Sequence, residues 1–268
     1  MSDSPDITEL WKRKVLDPKN ALRYDLGPVA IWVCFEDHDW YVAHERREDG
    51  VLGYRVTHFP LRDAPEDLKW RRWTAAKESL EVSVTPHLPD RPLVVKPESE
   101  IKIPAGNRAL FFVSIPLWFR VTVGQPQPIL LTEIPSVVLS NSWFGDVTSG
   151  ELCYSLRTKA TRDVDLSEVV LHRATCPMHI HNNSPTELDF QRLCVHAEFL
   201  RLYEGQNRLY TNHVKVVFRG DEHLSQIELS KEAPDIEPNC RLVQHARMQA
   251  EQSLMRKTFQ VLRSLTGV

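Results

Sequence analysis

A chain of 268 residues with 42% hydrophobic and 26% charged side chains has globular proportions and enough length to bury a core without staples. Its net charge of −3 excludes nucleic-acid binding through a large basic face. The longest apolar run, ALFFVSIPLWF (109–119), is too short to span a bilayer and contains Pro116, so no direct membrane span is expected.

The amino-terminal segment 1–26 begins MSDSPDITEL, which is acidic and polar and lacks the basic and apolar regions of a signal peptide. Five widely spaced cysteines (34, 153, 176, 194, 240) then point to a reduced, cytoplasmic protein. DITELWKRKVLD predicts a short helix capped by Asp6 or Thr8. GPVAIWVCFEDHDWYVAHER (27–46) is rich in Val, Ile, Trp and Tyr at both ends and acidic in its middle, and predicts a β-hairpin turning at Glu36–Asp39. The DHD at 37–39 reads as a solvated turn rather than an acid–base pair. The polar segment 60–79 predicts partial helix. Its KWRRW (69–73) interleaves aromatics and cations, as single-strand nucleic-acid binders do, but snorkelling arginines on an amphipathic segment explain it in an acidic chain.

From LEVSVTP onward, short β-branched runs end in proline, which cannot donate to a ladder and collects at strand ends. This pattern predicts a sandwich or barrel rather than a βαβ repeat. The segments 100–140 and 177–220 share a sequence of strand, turn and strand that fits duplication of one unit. The fold class expected is therefore mainly β: two β-sandwich-like units, 27–125 and 126–236, with a boundary near QPQP (125–128). A C-terminal amphipathic α-helix over 239–266 follows. Leu242, Ala246, Ala250, Leu254, Val261 and Leu265 fall near one helical face, with Asn239 as N-cap. Its basic residues are Arg241, Arg247, Arg256, Lys257 and Arg263 against Glu251. Such a helix docks on its own body, with a partner or an anionic membrane as alternatives.

LSNSWFGDVTSGELCYSLRT (139–158) holds the densest chemistry. It contains no G-x-S-x-G elbow, and its Asn, Gly and Asp residues are turn formers. LCYSLRT alternates, with Leu152, Tyr154 and Leu156 on one face and Cys153, Ser155 and Arg157 on the other. The stretch reads as a structural corner whose Trp143, Phe144, Asp146 and Glu151 shape a surface. With Arg247, Arg256 and Lys257 these make the candidate interaction surface. A second candidate is metal binding by CPMHIH and LCVH. Cys176, His179, His181 and His196 are zinc-type ligands, Cys194 shares a strand face with His196, and His172 is a spare. The spacing matches no standard finger, and polar decoration with small core cysteines is the competing reading. No phosphate loop, dinucleotide fingerprint or H-E-x-x-H is present.

The SIPLW strand, the S-x-S-W-F-G loop and the GELCY strand, with WVCFEDHDWYVAHER near the start, resemble the DUF432 family of uncharacterised archaeal and bacterial proteins. The likeness covers most of residues 27–220, and the C-terminal segment lies outside it. The resemblance brings no catalytic residues and no cofactor. It implies a cytosolic partner of a membrane protein, a small-conductance mechanosensitive channel. The function expected is a non-enzymatic interaction or regulatory module. The alternatives are a metal-binding protein or metal-dependent enzyme using the Cys/His cluster, and a small-molecule sensor with a ligand between the sandwiches.

Overall fold

A computed structural model of the chain describes residues 7–47, 53–74, 79–98, 100–145, 147–148, 150–158, 160–166, 169–220, 223–249, 253–256 and 258–261. Among them strands dominate. The helical elements are the short helix Ile7–Trp11 and two 3-10 turns, Leu61–Asp63 and Ala197–Phe199. None is long and apolar enough to cross a membrane. The mainly β class follows from short β-branched and aromatic runs separated by proline and glycine.

The chain forms two compact units from interleaved segments. Residues 1–87, 116–137 and 169–173 build the first, and residues 88–115, 138–168 and 174–268 build the second. The segment 125–128, where the sequence placed a boundary, is the turn between two paired antiparallel strands of the first unit, Trp118–Val123 and Ile129–Pro135.

The first unit holds two antiparallel sheets. One runs Tyr54–Pro60, Asn20–Leu26, Val29–Glu36, Asp39–Arg46, Arg71–Thr74. The other runs Lys14–Val15, Glu81–His87, Trp118–Val123, Ile129–Pro135. The predicted 27–46 hairpin is present, and its turn residues Asp37 and His38 both have positive φ, as a two-residue hairpin turn with right-handed strand twist demands. Val29–Glu36 is the central strand, and both of its faces are buried through Phe35. The segment after residue 60 explains one of those faces. Beyond the Leu61–Asp63 turn it is irregular as far as Trp70 and then forms the edge strand Arg71–Thr74, and Leu68 and Trp70 pack with Phe59 on Ala30, Trp32 and Ala43. Burial of these rings outweighs the weak helical propensity of a segment rich in proline and acidic residues.

The second unit holds a six-stranded and a nine-stranded sheet, both mixed. The six-stranded sheet runs Ser140–Phe144, Glu151–Thr158, Leu93–Pro97, Leu188–Val195, Phe259–Val261, with Ile101–Ile103 also on Leu188–Val195. Glu151–Thr158 lies parallel to Leu93–Pro97, and Leu188–Val195 lies antiparallel to it. The nine-stranded sheet runs Arg241–Gln244, Leu202–Glu204, Arg208–Thr211, Val170–Asn182 (whose first residues, to Arg173, belong to the first unit), Val214–Phe218, Ser225–Leu229, Ser253–Arg256, with Arg108–Pro116 also on Val170–Asn182 and Ala160–Thr161 paired to Arg108–Pro116.

The expected helix over 239–266 is not what the described residues form. They contribute three strands, Arg241–Gln244, Ser253–Arg256 and Phe259–Val261. These add to Leu202–Glu204, Ser225–Leu229 and Leu188–Val195 respectively. Backbone N–H and C=O groups at an open sheet edge offer hydrogen-bond partners that a helix on the same sequence would leave unpaired, so tertiary pairing overrides the helical periodicity.

Candidate functional site

The stretch 139–158 is an antiparallel hairpin. Ser140–Phe144 pairs with Glu151–Thr158 and forms the edge of the six-stranded sheet. Its tip depends on glycine: Gly145 has φ +102, and a Cβ there would lie 2.9 Å from Gly150 Cα. Strand alternation gives the hairpin two chemically different faces.

On one face Trp143 stands directly opposite Leu152, and they are 48% and 45% exposed, with Val147 at the tip 91% exposed. Tyr154 continues this face. Its hydroxyl donates to Asp90 Oδ1 at 2.9 Å, and the Arg91 guanidinium lies 5.4 Å above its ring. Burial and the Asp90 hydrogen bond raise the Tyr154 phenol pKa, while the Arg91 and Arg247 charges oppose that rise. Arg247 is held nearby, its Nε donating to the Leu88 carbonyl at 2.6 Å. The face thus joins exposed apolar surface to a rim of arginines.

The other face is buried. Phe144 and Cys153 pack with Val94 and Cys194. Val94 is the register partner of both Ser155 and Cys194, which places Cys153, Cys194 and then His196 on one side of the sheet. Cys194 Sγ lies 3.9 Å from Glu151 Oε1 and 4.0 Å from His196 Nε2, and that same Nε2 lies 3.6 Å from Glu151 Oε1. The thiol of Cys153 donates to the Glu151 carbonyl at 3.5 Å, and the ligand atoms of Glu151, Cys153 and Cys194 all lie within 4.8 Å of one another. On its far side His196 Nδ1 is 3.2 Å from Glu198 Oε1, and Glu198 Oε2 has no hydrogen-bond partner. The imidazole is almost fully enclosed, at 3% side-chain exposure. The Cys194 thiol pKa is pushed well above its ordinary value, first by the hydrogen bond with Cys153 and then by burial.

A family model described as "Protein of unknown function (DUF432)" matches residues 10–263, nearly the whole chain. The chain belongs to the DUF432 family. No curated protein and no solved structure matches it. The DUF432 match takes in both strands of the cysteine cluster and also the C-terminal strands beyond residue 220.

This DUF432 chain does not assemble the four ligands predicted from sequence at one place. Cys176 is fully buried on Val170–Asn182, where burial pushes its thiol up to about 12. His179 and His181 share the opposite face of that strand, because their positions differ from 176 by odd numbers. They line a cavity of about 450 Å³ with Arg108, Leu110, Lys215 and Val217. His179 Nε2 lies 2.9 Å from His213 Nδ1, whose Nε2 lies 2.8 Å from Asp235 Oδ1, and burial followed by the His213 charge lowers the His179 pKa. His196 belongs instead with Glu151, Cys153, Cys194 and Glu198. Sequence reasoning assigned Glu151 to the surface and gave Cys153 no role. The signal that finds them is a period of two in E-L-C at 151–153, which puts Glu151 and Cys153 on one strand face, and in C-V-H-A-E at 194–198, although there the strand ends at Val195 and His196 and Glu198 follow on the turn. Of the predicted interaction residues, Trp143 and Arg247 flank the Tyr154 face, whereas Phe144 is buried. Asp146 and Lys257, and the side chain of Arg256, lie outside the described residues.

Proposed function

We propose that this DUF432 protein is a non-enzymatic interaction or regulatory module that meets a protein partner through the exposed face of the 140–158 hairpin. The observation that supports this reading is the opposed pair Trp143 and Leu152, both nearly half exposed on a sheet edge, with Val147 beyond them. Large apolar side chains held outward on a rigid hairpin supply the contact area that dominates binding energy. Tyr154, Arg91 and Arg247 around them are residue types enriched in binding hot spots. In this proposal the partner is an integral membrane protein, a small-conductance mechanosensitive channel, and the module works in the cytoplasm at the inner face of the membrane.

The test is a tagged pull-down from detergent-solubilised native cells, read by mass spectrometry, with wild type and the double substitution Trp143→Ala/Leu152→Ala. Enrichment of an integral membrane protein by wild type, reduced at least tenfold by the double substitution, supports the proposal. Equal recovery by both removes the hairpin from it, and recovery of no partner by wild type removes the membrane partner.

A further inference from the structure

We propose that Glu151, Cys153, Cys194 and His196 are the ligands of a tetrahedral divalent metal ion of the zinc class, with Glu198 as the residue that orients His196. The inference does not rest on the interaction reading.

Four donors of the types zinc uses converge from two strands and from the turn that follows the second. The spacing of Glu151, Cys194 and His196 is close to what an ion needs. Metal bonds of about 2.3 Å to sulfur and about 2.0–2.2 Å to nitrogen or oxygen, at tetrahedral angles, put sulfur about 3.6 Å from nitrogen or oxygen. The same bonds put nitrogen about 3.3 Å from oxygen. Here the separations are 3.9 Å (Cys194 Sγ to Glu151 Oε1), 4.0 Å (Cys194 Sγ to His196 Nε2) and 3.6 Å (His196 Nε2 to Glu151 Oε1). A contraction of a few tenths of an ångström brings these three to metal distances, and the Cys153 thiol, within 4.8 Å of the Glu151 and Cys194 ligand atoms, completes the site by a further rotation toward His196. The inward nitrogen of His196 is Nε2, and the outward one meets a buried carboxylate. That carboxylate–histidine arrangement fixes ring orientation and tautomer at metal centres.

Two competing explanations account for less. A disulfide between Cys153 and Cys194 is opposed by topology. Their strands flank Leu93–Pro97 on either side, so their Cα atoms stand about two strand spacings apart, roughly 9.5 Å. Bridging requires less than about 7 Å. Core packing against Val94 and Phe144 accounts for two small buried thiols. It does not account for the Glu151 carboxylate and the His196 imidazole directed at the Cys194 thiol, nor for the buried Glu198 carboxylate behind that imidazole, which is costly without a compensating charge. Two thiolates select zinc-class ions over magnesium or calcium. Four protein ligands make the site closed, hence structural rather than catalytic. Metal binding deprotonates both thiols, and the two protons leave to solvent. The ion would tie the hairpin to Leu188–Val195 across Leu93–Pro97, directly beneath Trp143 and Leu152.

Cobalt(II) titration of the reduced, metal-free, full-length protein tests this, because thiolate ligation gives a near-ultraviolet charge-transfer band and tetrahedral geometry gives strong visible absorption. One cobalt per chain with both signatures, displaced by zinc, is expected. Cys153→Ser and Cys194→Ser each lose charge-transfer intensity. Glu198→Gln keeps the spectrum but binds roughly 10- to 100-fold more weakly. The proposal is overturned if wild type, folded by circular dichroism, shows no charge-transfer band. It is equally overturned if the band survives in the double variant Cys153→Ser/Cys194→Ser. Should the serine variants fail to fold, Glu198→Gln decides alone, and unchanged cobalt affinity there also overturns the proposal. The titration uses no partner, so its failure leaves the hairpin proposal standing.

Discussion

His172 sits where three segments of the first unit meet. The Tyr54 hydroxyl lies 2.7 Å from its Nδ1, and the two rings stack with centroids 6.2 Å apart. Its carbonyl accepts from the Leu117 N–H at 3.0 Å and from the Ser136 hydroxyl at 2.9 Å. Gly27 completes the pocket. It has φ +67, and a Cβ there would stand 2.5 Å from the same Nδ1, so only glycine admits the ring. The sequence offered His172 as a spare metal ligand; the structure uses it as a partly buried, neutral hydrogen-bonding residue. Burial, aided by the Arg173 charge, lowers its pKa from 6.5 to about 4. Below pH 6.5 the unfolded chain protonates this histidine while the folded chain does not, so stability falls as pH drops from about 6.5 to about 4 and then levels off for this group. The loss is on the order of 3 kcal/mol. Urea unfolding at pH 7 and pH 4.5 should show it, and His172→Gln, which keeps an acceptor for Tyr54, should flatten the pH dependence over that interval. An unchanged slope in the variant would show that His172 is not the group responsible.

At the scale of elements, the 140–158 hairpin separates what alternation dictates from what it leaves open. The turn residues and the two-residue period made the corner and the strand after it legible. The period also put Leu152 and Leu156 on one face, yet the structure buries Leu156 and exposes Leu152. Burial is set by what covers each end of a strand, and Glu151–Thr158 gains its parallel neighbour only from Tyr154 onward. Cys153 is buried instead, because Phe144, Val94 and Cys194 close over its face. The asymmetry has a measurable consequence. Phe144→Ala should cost about 3–5 kcal/mol as a core cavity, whereas Trp143→Ala, half exposed and paired with Leu152, should cost only about 1 kcal/mol. Chemical denaturation of the two variants distinguishes them, and comparable losses would mean that Trp143 is also a core residue.

Across the whole molecule, the C-terminal segment closes sheets rather than decorating them. Arg241–Gln244 and Ser253–Arg256 are the two edges of the path through the nine-stranded sheet, and Phe259–Val261 is an edge of the six-stranded one. The Cys194 N–H donates to the Thr258 carbonyl at 2.8 Å, so the same segment braces a proposed metal ligand. A chain ending at residue 238 should therefore lose a cooperative unfolding transition and aggregate through three newly opened edges. Light scattering and calorimetry of the truncation would show this. A monomeric protein with the full-length melting profile would make the segment dispensable. The sequence alone determined the class: β-branched runs bounded by proline and glycine, the 27–46 hairpin and the family motifs are local signals carried by neighbouring residues. Only the tertiary structure decided how segments interleave into two units, that the described residues of a helically patterned tail form edge strands, and that E-L-C meets C-V-H-A-E. Each of these depends on which backbone groups find partners many residues away, and a one-dimensional pattern does not encode that pairing.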